Sequence, residues 1–183
     1  MDNGAGSYRR FLDGDEAAFD DIMNELFRPL TFYICRFVKD VSTAEDIAID
    51  VFSELIASKH KYNFKTSLKT YLFMLGRCRA IDHLRRQKTV VFTPLSEIGE
   101  LSDEEKSLEE VVLTSERKRI VNEAVARLPE EMREAVYLVY FEDLTYVEAT
   151  RVLKKNAKQV DNLLYRAKKE LHTILGEEGN SLL

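Results

Sequence analysis

Apolar residues recur three and four positions apart along most of this chain, the spacing of a helix with one buried face. Phe19, Ile22, Met23, Leu26 and Phe27 set the pattern, and it resumes after Pro29 through Phe32, Tyr33, Phe37 and Val38. The spacing predicts helix over 15–39 with a kink or restart at the proline, and Cys35 as a small core residue. A second helix is predicted from Ser42, with Glu45 completing a capping box. Its apolar face is Ala44, Ile47, Ala48, Val51, Phe52 and Leu55, and Asp46, Asp50 and Glu54 fall on another face. Residues 61–67 read as a loop. A third helix follows from about Leu68 to Gln87, burying Leu68, Leu72, Leu75, Ile81 and Leu84.

Periodicity then lapses. Residues 89–112 hold Pro94, Gly99, serines and a run of acids, and read as a linker. A helix from near Leu113 to Arg127 opens a second domain, and Leu128-Pro129-Glu130 restarts helix with proline and acids in the first turn. That helix is predicted to bury Met132, Ala135, Val136, Val139 and Tyr140. Thr145 with Glu148, and Asn156 with Gln159, each have the spacing of a capping box. They open two helices joined by a tight turn at Lys154-Lys155. Along the second, Val160, Leu163, Leu164, Ala167 and Leu171 point inward, while Lys158, Asn162, Tyr165, Arg166 and Lys169 fall opposite. The fold class is therefore all-α: two small helical domains joined by an acidic linker, the second containing a helix-turn-helix. The boundaries are 1–90, 91–112 and 113–183.

Composition agrees with helices: 183 residues carry 3 prolines and 7 glycines, and 32% of residues are charged. The net charge of -5 argues against a nucleic-acid partner until it is mapped. Residues 59–88 hold nine Lys and Arg against Asp82 alone, residues 91–112 hold seven acids against Lys106, and residues 151–169 hold seven cations against Asp161. Two basic segments flank an acidic one. A solvated helix face accounts for one such run; two on helical patterns suit phosphate neutralisation. In the second helix of a helix-turn-helix, Asn, Gln and Arg suit base edges in the major groove, although an ordinary helical hairpin with a wet basic face has the same pattern. Cys35 and Cys78 form no CxxC pair, and the three histidines do not cluster. No metal, cofactor or disulfide is expected. No nucleophile–base pair, carboxylate pair or phosphate loop suggests an enzyme. Met1 to Arg10 lacks an apolar leader core, and no apolar run is long enough to span a membrane, so a cytoplasmic location is expected.

Three stretches, in order, resemble the two-domain, extracytoplasmic-function type of the bacterial sigma-70 family. Ala44-Glu45-Asp46-Ile47 with Asp50-Val51-Phe52 is similar to the family's A-E-D-L-x-Q-E-x-F helix. Tyr71-Leu72, Leu75-Gly76-Arg77, Ala80-Ile81-Asp82 and Leu84-Arg85-Arg86 resemble W-L-x-x-I-A-R-N-x-x-x-D-x-x-R-R. Leu128-Pro129-Glu130, Leu144 to Glu148, Val160 and Tyr165 to Lys168 resemble L-P…L-S-Y-x-E-I-A…T-V-K-S-R-L-x-R-A-R. The resemblance implies core RNA polymerase and promoter DNA as partners, an anti-sigma factor as a further candidate, and no enzymatic activity. It implies polymerase docking through Asp46, Ile49, Asp50, Ser53 and Glu54. It implies opening of the -10 element by Lys61, Tyr62, Asn63, Lys65, Lys69, Arg77, His83, Arg85 and Arg86. It also implies reading of the -35 element by Lys158, Gln159, Asn162, Tyr165, Arg166 and Lys169. In the loop Lys61–Lys65, which the resemblance gives a flipped base, Tyr62 is expected toward the base and Phe64 toward the core. Five positions depart from the family: Cys78 for its promoter-contacting Asn, Tyr71 for Trp, Ile49 for Gln, Lys154 for the turn Gly, and Asp161 for a basic residue. A helix-turn-helix regulator acting without polymerase is the competing reading. It leaves the helix from Ser42 without a task.

Overall fold

The computed structural model describes residues 4–59, 61–90 and 116–176, so the predicted acidic linker, 91–112, lies outside the described residues. Every regular element among the described residues is helical. The chain divides into two compact units, Met1–Glu105 and Lys106–Leu183.

In the first unit, α1 (Ala5–Leu12), α2 (Ala17–Val38), α3 (Val41–Ala57) and α4 (Leu68–Val90) share one core. Helix α2 runs through Pro29 without a restart. The proline withholds a single N–H from the Glu25 carbonyl, and burial of Ile22, Leu26, Leu30, Tyr33 and Ile34 along one face outweighs that loss. Cys35 lies at the core's edge, half-buried, and burial raises its thiol pKa. The helix ends with Lys39 in the left-handed region, its N–H bonded to the Cys35 carbonyl.

Helix α3 opens two residues earlier than the Ser42–Glu45 box predicted. Asp40, in an extended conformation, is the cap, its carboxylate accepting from the Thr43 N–H at 2.7 Å. Hydrogen bonding from the Thr43 side chain, then from its N–H, holds the Asp40 carboxyl below its ordinary pKa. All six residues of the predicted apolar face are buried. In α4, Leu68 and Leu72 are buried as expected, but Phe73, Gly76 and Ala80 complete the core while Leu75, Ile81 and Leu84 lie at its rim. The glycine sets the spacing: a Cβ on Gly76 would sit 2.8 Å from Leu30 Cδ1 and 3.1 Å from Ile34 Cδ1, so α4 approaches α2 closely there.

No apolar stripe in the sequence analysis pointed to α1. Its Tyr8 is fully buried, and its hydroxyl meets the carbonyl oxygens of Leu55 at 3.1 Å and Lys59 at 3.3 Å, at the end of α3 where helix carbonyls lack partners.

The second unit comprises α5 (Glu116–Ala126), α6 (Glu130–Val136), a π-turn (Tyr137–Phe141), α7 (Tyr146–Leu153) and α8 (Ala157–Leu175). The π-turn overturns one expectation. Winding past five residues shifts the helix face, so Tyr137 and Leu138 enter the core and Tyr140, predicted inside, is 61% exposed. Both capping boxes of the helix-turn-helix form as the sequence predicted, at Thr145–Glu148 and Asn156–Gln159. All five inward residues of α8 are buried.

Candidate docking and nucleic-acid interfaces

Four side chains of α3 line one exposed stripe: Asp46, Ile49, Asp50 and Ser53, at helical steps of three, four and seven. Ile49 is 51% exposed, and Ile56, one turn beyond Ser53, is 43% exposed. Two large aliphatic groups amid acids on the outer face of a helix whose inner face is already full form a surface suited to a partner.

Glu54, assigned to that surface from sequence, is engaged elsewhere. Its carboxylate accepts from Lys61 Nζ at 2.8 Å and from Arg79 Nη2 at 2.7 Å, and its side chain is only 18% exposed. Lys61, expected to face DNA, is thereby held to the protein, and Arg79, outside the predicted site, enters the cluster. The hydrogen bond from Lys61, then that from Arg79, holds the Glu54 pKa below the ordinary carboxylate value. Stability from a depressed carboxylate pKa is present above the unfolded value and lost as pH falls through the folded one. Glu54→Gln is therefore expected to cost well under about 1 kcal/mol near neutrality, because both cations are solvent-screened. Wild type and variant should converge in acid, below the ordinary carboxylate range. Urea unfolding at several pH values checks this, and a constant difference at every pH would count against the ion cluster.

The loop between α3 and α4 reverses the expected order of its aromatics. Tyr62 is 3% exposed, its hydroxyl donating to the Thr66 carbonyl at 2.6 Å and its ring 5.2 Å from Tyr71, so it belongs to the core and not to the surface. Phe64 is half-exposed instead, with φ 58°. Asn63 is exposed, and its Oδ1 accepts from the Lys65 N–H at 3.1 Å, fixing a local turn. Ser67 caps α4 through the Thr70 N–H at 3.2 Å. Further along α4, Arg85 and Arg86 are exposed, Lys69 and Arg77 half-exposed, and Arg85 pairs with Asp82 at 3.5 Å. His83 corrects the sequence reading in part: its Nε2 is buried without a hydrogen-bond partner among the described residues, so that nitrogen does not face DNA.

On α8, Lys158, Asn162, Tyr165, Arg166 and Lys169 are all exposed, Tyr165 at 70%. Gln159 is exposed too, but its Oε1 accepts from the Asn156 N–H at 2.9 Å. The cap ties the Gln159 amide to the start of α8, whereas the Asn162 amide stands on the exposed outer face. Lys155 is drawn away from solvent toward Glu131 at 2.8 Å, tying the turn to α6. Lys154 takes φ 53° and ψ 42°, and the Lys155 N–H reaches back to the Thr150 carbonyl at 3.0 Å. A lysine thus occupies a left-handed position that glycine holds without strain. Lys154→Gly is expected to stabilise the chain by about 1 kcal/mol, read from the urea midpoint; a destabilised variant would contradict the strained turn.

Among the described residues no His, Cys, Asp or Glu group could hold a metal ion, and no helix is long and apolar enough to cross a membrane.

Comparison with known proteins matches residues 22–90 to sigma-70 region 2 and residues 118–171 to sigma-70 region 4. The chain is 26% identical over 152 residues to the ECF RNA polymerase sigma factor SigM of Bacillus subtilis, covering 83% of this chain and 89% of that protein. It is 24% identical over 174 residues to the RNA polymerase sigma-H factor of Pseudomonas aeruginosa, covering 91% and 90%. Its fold is similar to that of the sigma factor RpoE from Bartonella quintana, solved in complex with the anti-sigma factor NepR. The TM-score there is 0.62 at 18% identity, over 86% of this chain and 96% of that one. It is also similar to CnrH, solved with the cytosolic domain of CnrY, at a TM-score of 0.61 and 17% identity over 94% of each.

Proposed function

The chain belongs to the sigma-70 family, as a factor of the extracytoplasmic-function type, and from that premise we propose how its residues divide the work of initiation. The protein binds core RNA polymerase and directs it to specific promoters. Docking falls to the α3 stripe of Asp46, Ile49, Asp50 and Ser53. The observation that carries this is Ile49, an aliphatic side chain half in solvent between two acids, which no packing need of the chain itself explains.

Opening of the -10 element falls to the loop 61–67 and the cations Lys65, Lys69, Arg77, Arg85 and Arg86. Reading of the -35 element falls to the outer face of α8. Asn162 and Arg166 supply base-edge chemistry there, while Lys158 and Lys169 supply phosphate contacts. Every step is binding: cations neutralise phosphates, an aromatic takes up an unstacked base, and no bond in the nucleic acid is made or broken. Domain boundaries near residues 90 and 113 belong to this proposal, as do an anti-sigma partner and a cytoplasmic location. The experiment is reconstitution: the purified chain is added to core polymerase and assayed for co-elution and promoter-specific transcripts. Failure to co-elute would overturn the docking assignment. A helix-turn-helix regulator working without polymerase would instead bind promoter DNA equally well with core absent.

A further inference from the structure

Helix α1 precedes the residues matched to region 2, yet it is built into the loop assigned above to the promoter. Tyr8 lies fully buried beneath that loop, its ring 5.5 Å from Tyr62 in an edge-on contact and 6.1 Å from Phe64. One residue on, exposed Arg9 places its guanidinium carbon 4.9 Å from the centre of the Phe64 ring. Phe64 itself is in the left-handed region, a costly conformation for a bulky side chain unless its surroundings enforce it. Tyr62, its ring 4.7 Å from that of Phe64, and Tyr8 beneath supply those surroundings. The result is an aromatic ring held at the surface with a cation laid across it.

We propose that α1 is a working part of the strand-opening surface: Phe64 takes an unstacked promoter base, and Arg9, which covers that ring in the free protein, is the residue the base displaces. A guanidinium plane and a nucleobase are alternative stacking partners for one aromatic face. The displaced Arg9 keeps its charge, and the phosphate next to the captured base is its new partner, through a charge-assisted hydrogen bond. Tyr8 is a positioning residue, acting through the ring it supports. The inference rests on the assignment of loop 61–67 to promoter opening.

The test uses holoenzyme assembled from the full chain and core polymerase on a promoter fragment that the wild-type holoenzyme transcribes, with opening followed by permanganate reactivity of unpaired thymines. Arg9→Gln is expected to lower the opening equilibrium about three- to tenfold and to flatten its dependence on log salt by about 0.7, the loss of one single-strand phosphate contact. Phe64→Ala should produce a comparable loss, and the double variant should be little worse than Phe64→Ala alone. Binding to a -35 duplex should be unchanged in all three. Opening by Arg9→Gln at the wild-type level would overturn the proposal. So would an equal loss at every salt concentration accompanied by a lower melting temperature, because Arg9 would then be structural. Opening unchanged in both Phe64→Ala and Arg9→Gln would take down the assignment of the loop to promoter opening and this inference together, whereas opening sensitive to Phe64→Ala but indifferent to Arg9 removes only the role of α1.

Discussion

Ile49→Glu should cost the chain its association with core RNA polymerase by more than about 30-fold, the loss of a hot-spot contact of about 2 kcal/mol or more. Ile49 is 51% exposed and sits outside the filled inner face of α3, so the expected melting temperature is close to that of wild type. In the complex a glutamate would bring an unpaired charge into the centre of an apolar contact, beside Asp46 and Asp50, where like charges already gather. Ile56→Glu, at the end of the stripe, should weaken association less, because charges near the rim of an interface keep their water. Co-elution and titration with labelled core measure both. Undiminished binding by Ile49→Glu would remove α3 from the docking surface while leaving the family assignment standing.

The second large effect is on stability. Gly76→Leu is expected to destabilise the first unit by about 3 kcal/mol, the upper end for overpacking a close-packed core. Even a Cβ at this position would lie 2.8 Å from Leu30 Cδ1, and neither Leu30 nor Ile34 has solvent into which to yield, both being fully buried. Gly76→Ala is a milder case, since the better helix propensity of alanine, worth about 1 kcal/mol, offsets part of the same collision. Urea unfolding followed by helical circular dichroism separates the two. A leucine variant within about 1 kcal/mol of wild type would mean that α2 and α4 do not meet as closely as they do here.

How much of this could be seen in the sequence follows from how local each cause is. Thr145 with Glu148 and Asn156 with Gln159 form capping boxes because both partners lie within one helical turn, and both were legible. The apolar faces of α3 and α8 were legible for the same reason, since each repeats a single period. Lys154 stood out only as the place where a glycine was expected, and the structure supplies the left-handed angle. Elsewhere the causes lie outside any local window. Asp40 displaced Ser42 as a cap because Asp40 is itself the extended residue and its carboxylate reaches the Thr43 N–H, which the Ser–x–x–Glu spacing does not encode. Tyr140 was placed inside by a period that the π-turn breaks at Tyr137–Phe141. Tyr62 lies inside and Phe64 nearer the surface, with Tyr8, 54 and 56 positions upstream, packed against both rings beneath the loop. Glu54 looked like one more acid on a face, since Lys61 is seven and Arg79 twenty-five residues away. Along α1 itself, Tyr8 and Phe11 do stand three apart, a signal too short to distinguish a buried helix from a polar tail.

The hydroxyl of Tyr8 reaches carbonyls 47 and 51 residues further along the chain, and that separation has a consequence for synthesis. Helix α1 can pack on α2 once that helix has emerged from the ribosome, Phe11 against Phe19, but the acceptors of the Tyr8 hydroxyl come only with the end of α3 and the loop after it. At ordinary elongation rates of about 5–20 residues per second, the hydroxyl waits for seconds. During that interval the ring of Tyr8 lacks the cover that Tyr62 and Phe64 later give it. Helix α1 is made before the segment that locks it in place, and a nascent chain stalled short of Lys59 would leave the Tyr8 hydroxyl without at least one of those carbonyls.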